Sequence, residues 1–122
     1  MIVLIAEDEP KVQQLLKEHF EQQGHQMLGT GSGEGALELL RQHQPHIMLL
    51  DLWLKGKIEG MTVLKEARTI SPKTKVIVAT GFEESPGEQI AKLGAVALLK
   101  KPIRLEELDR IIQQIQGPAT SP

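Results

Sequence analysis

The sequence predicts a doubly wound α/β domain, a five-stranded parallel sheet with helices on both faces. Five short apolar runs alternate with five segments whose apolar residues recur at helical spacing. The run Ile47-Met48-Leu49-Leu50 is apolar throughout, as in a strand buried on both faces. It ends on Asp51, and the first strand runs directly into Glu7-Asp8. Polar residues therefore gather at carboxyl strand ends, the edge where open α/β sheets bind ligands.

The elements follow in order. Residues 2 to 6 form a strand rich in β-branched residues. Glu9-Pro10 opens a helix, since Pro suits the first turn and acids suit the positive end. Val12, Leu15, Leu16 and Phe20 give that helix its expected buried face, and Gly24 stops it. Residues 26 to 29 form a short strand. Ser32 or Gly33 begins the next helix, with Ala36, Leu39 and Leu40 expected inward. Gln44-Pro45-His46 turns the chain into the strand ending at Asp51.

Residues 53 to 60 read as a loop, followed by a helix from about Met61 to Ile70. Residues 76 to 79 form a buried strand leading to Thr80-Gly81. Residues 82 to 87 read as a loop, residues 88 to 93 as a short helix closed by Gly94, and residues 95 to 99 as the last strand. Lys100-Lys101-Pro102 follows, and the final helix spans about Leu105 to Gln116. One domain over residues 1–116 is expected, with residues 117–122 a C-terminal tail or linker stub.

Composition narrows the function. The 122 residues include no cysteine, which removes disulfide, thiolate catalysis and thiolate-bound metal. Fourteen basic against sixteen acidic residues give a net charge of -2, unlike a nucleic-acid footprint. Phe20, Trp53 and Phe82 are the only aromatics besides histidine, too few for a base-stacking surface. No run reaches membrane-span length and nothing reads as a signal peptide, so a cytoplasmic protein is expected.

Glu7-Asp8, Asp51, Thr80 and Lys101 all lie at or just past predicted strand ends. In a parallel sheet those ends share one edge. Clustered acids favour a hard cation with oxygen ligands, and no histidine or cysteine is placed to recruit zinc. In such a site Asp51 has the chemistry of a carboxylate nucleophile, Lys101 that of a counter-charge and Thr80 that of a donor. Each residue alone has a plainer explanation. A strand-end acid caps a helix or lines solvent, and a lysine after a strand is commonly a surface charge. The four histidines read as solvent-facing groups.

The ordered set resembles the response-regulator receiver domain, over residues 2 to about 116. The matching segments are Ile2 to Asp8, Met48 to Leu52, Val76 to Gly81, Gly94-Ala95 and Lys101-Pro102. The resemblance implies a flavodoxin-like sheet of order 2-1-3-4-5. It implies Asp51 as phosphoacceptor, with Mg²⁺ as cofactor. Asp8, Asp51 and the Trp53 carbonyl would be metal ligands, and Glu7 would act through metal-bound water. Thr80 and Lys101 would contact the phosphoryl group, and Pro102 would be the proline, often cis, after the lysine. Such a domain is not a conventional enzyme, although it takes part in transfer to its own aspartate and in its dephosphorylation. The implied partners are a histidine kinase or phosphotransfer protein, and a homodimer or output domain on the last helices and strand, with no direct nucleic-acid binding and no membrane.

Three departures stand out. Lys55 replaces a proline usual in the loop after the acceptor, and Gly60 falls one residue late. Leu98 takes the place of a switch aromatic. The stretch from Thr80 to Gly94 is short and contains Pro86-Gly87, so a stunted fourth helix is expected, with activation read as ordering of residues 81 to 93. Two other function classes compete with this one. A phosphorylation-independent pseudo-receiver would bind protein only, and phosphate uptake separates it. A flavodoxin-like or hydrolase-type enzyme fits poorly: Glu7-Asp8 is a poor cradle for a flavin phosphate, and Trp53 stands where a haloacid-type hydrolase needs a second acid.

Overall fold

The computed structural model describes residues 1–54, 59–81 and 87–116. The strands are β1 (Ile2–Ala6), β2 (Gln26–Thr30), β3 (Ile47–Asp51), β4 (Lys75–Thr80) and β5 (Ala95–Lys100). The helices are α1 (Pro10–Gln22), α2 (Gly33–His43), α3 (Gly60–Ile70), α4 (Gly87–Lys92) and α5 (Leu105–Gln116). All pairings are parallel, in the order β2-β1-β3-β4-β5. The expected tail at 117–122, the Lys55 departure and Pro86 lie outside the described residues.

Strand side chains alternate between two buried layers. Leu4, Met48, Leu50, Val76 and Val78 meet Ala36, Leu37 and Leu40 of α2, Val63, Leu64 and Ala67 of α3 and Ile90 of α4. Val3, Ile5, Ile47, Leu49 and Ile77 meet Leu16 and Phe20 of α1 and Leu108 and Ile112 of α5 on the other face. Helices on both faces explain why β1, β3 and β4 are apolar almost throughout.

The local signals act as read. Pro10 is the first residue of α1, Ser32 Oγ caps α2 by accepting from the Gly35 N–H at 3.0 Å, and Gly24 and Gly94 take positive φ after their helices. The expected inward faces need two corrections. Leu15 is 51% exposed, because Leu16 and Phe20 define the buried stripe and Leu15 lies one residue, about 100°, off it. In α2 Leu37 is buried beside Ala36 and Leu40, whereas Leu39 is only partly buried.

The histidines also differ from expectation. His43 and His46 are exposed, but His19 Nε2 contacts Asp109 Oδ1 at 2.8 Å and links α1 to α5. His25 Nδ1 lies 3.2 Å from the amino terminus, and its pKa is lowered, first by burial and then by that positive charge. Helix α4 is short, at six residues, as expected from its segment.

Gly60 belongs to α3 rather than to the loop before it. A β-carbon there would lie 2.4 Å from the Leu52 carbonyl oxygen and 2.7 Å from its carbon. Backbone cannot yield as a side-chain tip does. Gly60→Ala is therefore expected to destabilise the fold by about 1–3 kcal/mol, read as a lower urea midpoint with an unchanged slope. An unchanged midpoint would show that α3 can retreat from Leu52.

Candidate functional site

Sheet register brings the predicted residues to one edge. Ala6 lies opposite Leu50, Asp51 opposite Ala79, and Thr80 opposite Lys100. Backbone bonds continue past the strand ends. Glu7 N–H donates to Thr30 O at 2.9 Å, Leu52 N–H to Ala79 O at 3.0 Å and Lys101 N–H to Thr80 O at 2.9 Å. The site residues are thus carried on anchored backbone, which limits how far their side chains drift.

Lys101 Nζ donates to Glu7 Oε1 at 2.7 Å and to Asp51 Oδ2 at 3.0 Å. One ammonium group bridges two acids that are only 3% and 5% exposed. Glu7 is raised above the usual carboxylate range, chiefly by burial, with Lys101 opposing and Asp51 adding to the rise. For Lys101, burial alone would lower the pKa, but its bonds to Glu7 and Asp51 outweigh it and leave the group raised. The lysine is therefore charged at neutral pH.

Asp51 Oδ1 accepts the Trp53 N–H at 3.0 Å, a turn in which the acid's own side chain organises the residue two places on. The Trp53 indole Nε1–H in turn donates to Thr80 Oγ1 at 3.1 Å. Thr80 is 1% exposed while Trp53 is 55% exposed. Trp53 is thus exposed and bonded into the site at once. No periodicity signals a bond between residues 27 apart in sequence.

One carboxylate oxygen from each of Glu7, Asp8 and Asp51 lies within 4.8 Å of the others. Three oxygen donors on a partly open edge fit a hard divalent cation that keeps several waters. Pro102 follows a cis Lys101–Pro102 peptide bond. Leu98 is partly buried against the α2–α3 side of the core. Beside the cluster lies a groove of about 460 Å³, lined by Glu9, Val12, Leu15, Leu16, Pro102 and Ile103, with Lys101 shared between the two.

The response regulator receiver domain family matches residues 3–113. This chain belongs to that family. Its members accept a phosphoryl group on an aspartate in two-component signalling and are not conventional enzymes. The chain is 31% identical over 107 residues to sporulation initiation phosphotransferase F of Bacillus subtilis, covering 87% of this chain and 86% of that protein. It is 30% identical to a probable C4-dicarboxylate response regulator, DctR, of Priestia megaterium, with 94% of this chain matched. It spans about half of that relative's length, 51%. The receiver domain of sensor histidine kinase PA1611 from Pseudomonas aeruginosa shares the fold, with a TM-score of 0.85, 22% identity and coverage of 96% and 98% of the two chains. That structure has a magnesium ion coordinated in its active-site cleft. In the family, receiver domains work with histidine kinases and output domains and bind Mg²⁺ at an acidic site. No described helix is long and apolar enough to cross a membrane.

Proposed function

We propose that this receiver domain, residues 1–116 with 117–122 as a tail or linker stub, takes a phosphoryl group from a phosphohistidine donor onto Asp51. The observation that carries the reading is the placement of Asp51, buried at a sheet edge beside the Lys101 ammonium and two further carboxylates. A carboxylate oxygen of Asp51 bonds to phosphorus as the donor's N–P bond breaks. Lys101 offsets the charge of the incoming oxygens, and the Thr80 hydroxyl donates a hydrogen bond to one of them. Asp8, Asp51 and the Trp53 carbonyl would hold Mg²⁺, with Glu7 acting through bound water. Mg²⁺ held there would supply charge neutralisation to the transferring group. Water later removes the group at the same site, a self-catalysed dephosphorylation.

The groove that shares Lys101 with the acid cluster gives a histidine kinase or phosphotransfer protein an apolar footing, including exposed Leu15, next to the acceptor. The face formed by α4, β5 and α5 is assigned to a homodimer or output domain, and Val96 of β5, 47% exposed, lies on that strand. A cytoplasmic location, with no membrane contact and no direct contact of this domain with nucleic acid, accords with the net charge of -2. The test is intact mass after treatment with acetyl phosphate and Mg²⁺. One added phosphoryl group is expected, and no gain over a range of donor concentrations would reject the reading.

Metal binding has its own test. Trp53 is the only tryptophan, and its backbone adjoins the acid cluster. Mg²⁺ titration at matched ionic strength is expected to change its fluorescence saturably, since screening alone also perturbs clustered acids. Asp8→Asn should weaken the apparent affinity roughly tenfold or more, at least as much as losing an outer-shell partner. A Mn²⁺ relaxation map placing the ion away from residues 8, 51 and 53 would reject the assigned ligands.

A further inference from the structure

Trp53 joins two parts of the site that the strands deliver separately. Its backbone N–H binds Asp51 Oδ1 at the end of β3, and its indole N–H binds Thr80 Oγ1 at the end of β4. The direction of the second bond is fixed by chemistry. Indole nitrogen only donates, so the Thr80 oxygen must accept. A hydroxyl has one donor and two acceptor positions, so accepting this bond is compatible with donating its proton, and accepting a bond polarises its O–H. The ring remains 55% exposed, so burial of the indole does not account for where it lies.

We propose that Trp53 is a positioning residue for phosphoryl transfer, its indole N–H holding the Thr80 hydroxyl so that the O–H is presented to the phosphoryl group on Asp51. The proposal rests on Asp51 being the acceptor. With acetyl phosphate, an Asp51 carboxylate oxygen bonds to phosphorus while the P–O bond to acetate breaks. No net proton moves, so Thr80 has only to donate a hydrogen bond. Trp53 acts through Thr80 and need not touch the phosphoryl group. The plainer alternative is a surface tryptophan that has found a nearby acceptor without consequence for the reaction.

The test is a double-substitution cycle timed by phosphorylation with acetyl phosphate and Mg²⁺, with intact mass as the readout. Trp53→Phe keeps a ring and loses the N–H. It is expected to slow labelling roughly threefold to tenfold, the range of one neutral hydrogen bond. The same ratio is expected in a Thr80→Ser background, which keeps a hydroxyl. In a Thr80→Val background, which lacks it, Trp53→Phe should change nothing further. With Trp53 intact and no donor present, Thr80→Val should shift the tryptophan emission, and Thr80→Ser should restore it.

An equal slowing in the Thr80→Val background would overturn the proposal, as would an unchanged rate for Trp53→Phe alone. Emission indifferent to Thr80→Val would show that the bond does not persist in solution and would overturn it too. Should Thr80→Val label too slowly to time, the Thr80→Ser pair and the emission comparison decide. A wild-type protein that gains no phosphoryl mass would instead reject Asp51 as acceptor, a result distinct from a labelled protein indifferent to residue 53.

Discussion

Asp51→Asn is expected to gain no phosphoryl mass under conditions that label the wild type fully. The amide oxygen that replaces the carboxylate is not a competent nucleophile, and no other described acid is in the same setting. Glu7 is as buried, but its Oε1 is held by Lys101 at 2.7 Å and burial raises its pKa. The substitution should leave the fold intact. It removes one of three clustered negative charges and with it two of the influences that raise Glu7. Lys101 keeps Glu7 as a partner while losing the charge at 3.0 Å. These effects oppose one another, so stability is expected within about 1 kcal/mol of wild type. Equal labelling of both proteins would remove Asp51 from the mechanism.

The fold was largely legible because both periodicities were clean. In β3 and β4 nearly every residue is apolar and buried, and the caps at Pro10, Ser32, Gly24 and Gly94 stand where the punctuation placed them. Boundaries moved by a residue where ladder bonds extend past the apolar run, as at Thr30, Lys75 and Lys100. Leu15 misled because adjacent leucines at 15 and 16 both satisfy a helical pattern, while only one can face the sheet. Strand order was supplied by the family resemblance. Periodicity says which residues are buried and nothing about which strand lies beside which.

The site was legible as a set and illegible as a geometry. Acids and a lysine after strands place charge on one edge, and that much follows from parallel topology. That Lys101 bridges Glu7 and Asp51, or that an indole reaches Thr80, depends on side-chain reach and rotamer. The loop that begins at Trp53 also broke the family pattern. Its first residues nonetheless keep a defined turn, because Asp51 accepts the Trp53 N–H and Gly60 packs against the Leu52 backbone.

Lys101→Ala is expected to impair phosphorylation by about 100-fold or more, the scale of losing one preorganised donor at a charge-developing centre. The same change tests how far the lysine also supports the fold. Lys101 lies just past the end of β5 and its side chain is 24% exposed, so its stem does not fill the core. Its ammonium nevertheless opposes the burial that raises Glu7, a side chain 3% exposed. Without it Glu7 and Asp51 face each other and Asp8 with no lysine between them. A loss of about 1–3 kcal/mol is therefore expected, the cost of stranding a buried charged partner, with unfolding still cooperative because the apolar layers are untouched. Mg²⁺ should recover part of that stability, since the cation answers the same carboxylates, but should not recover the rate, since it was already present in the labelling reaction. Chemical denaturation with and without Mg²⁺, beside the labelling time course, separates the two roles. Loss of cooperative unfolding together with a normal rate in the folded remainder would show that Lys101 serves the fold and leaves the chemistry to the metal.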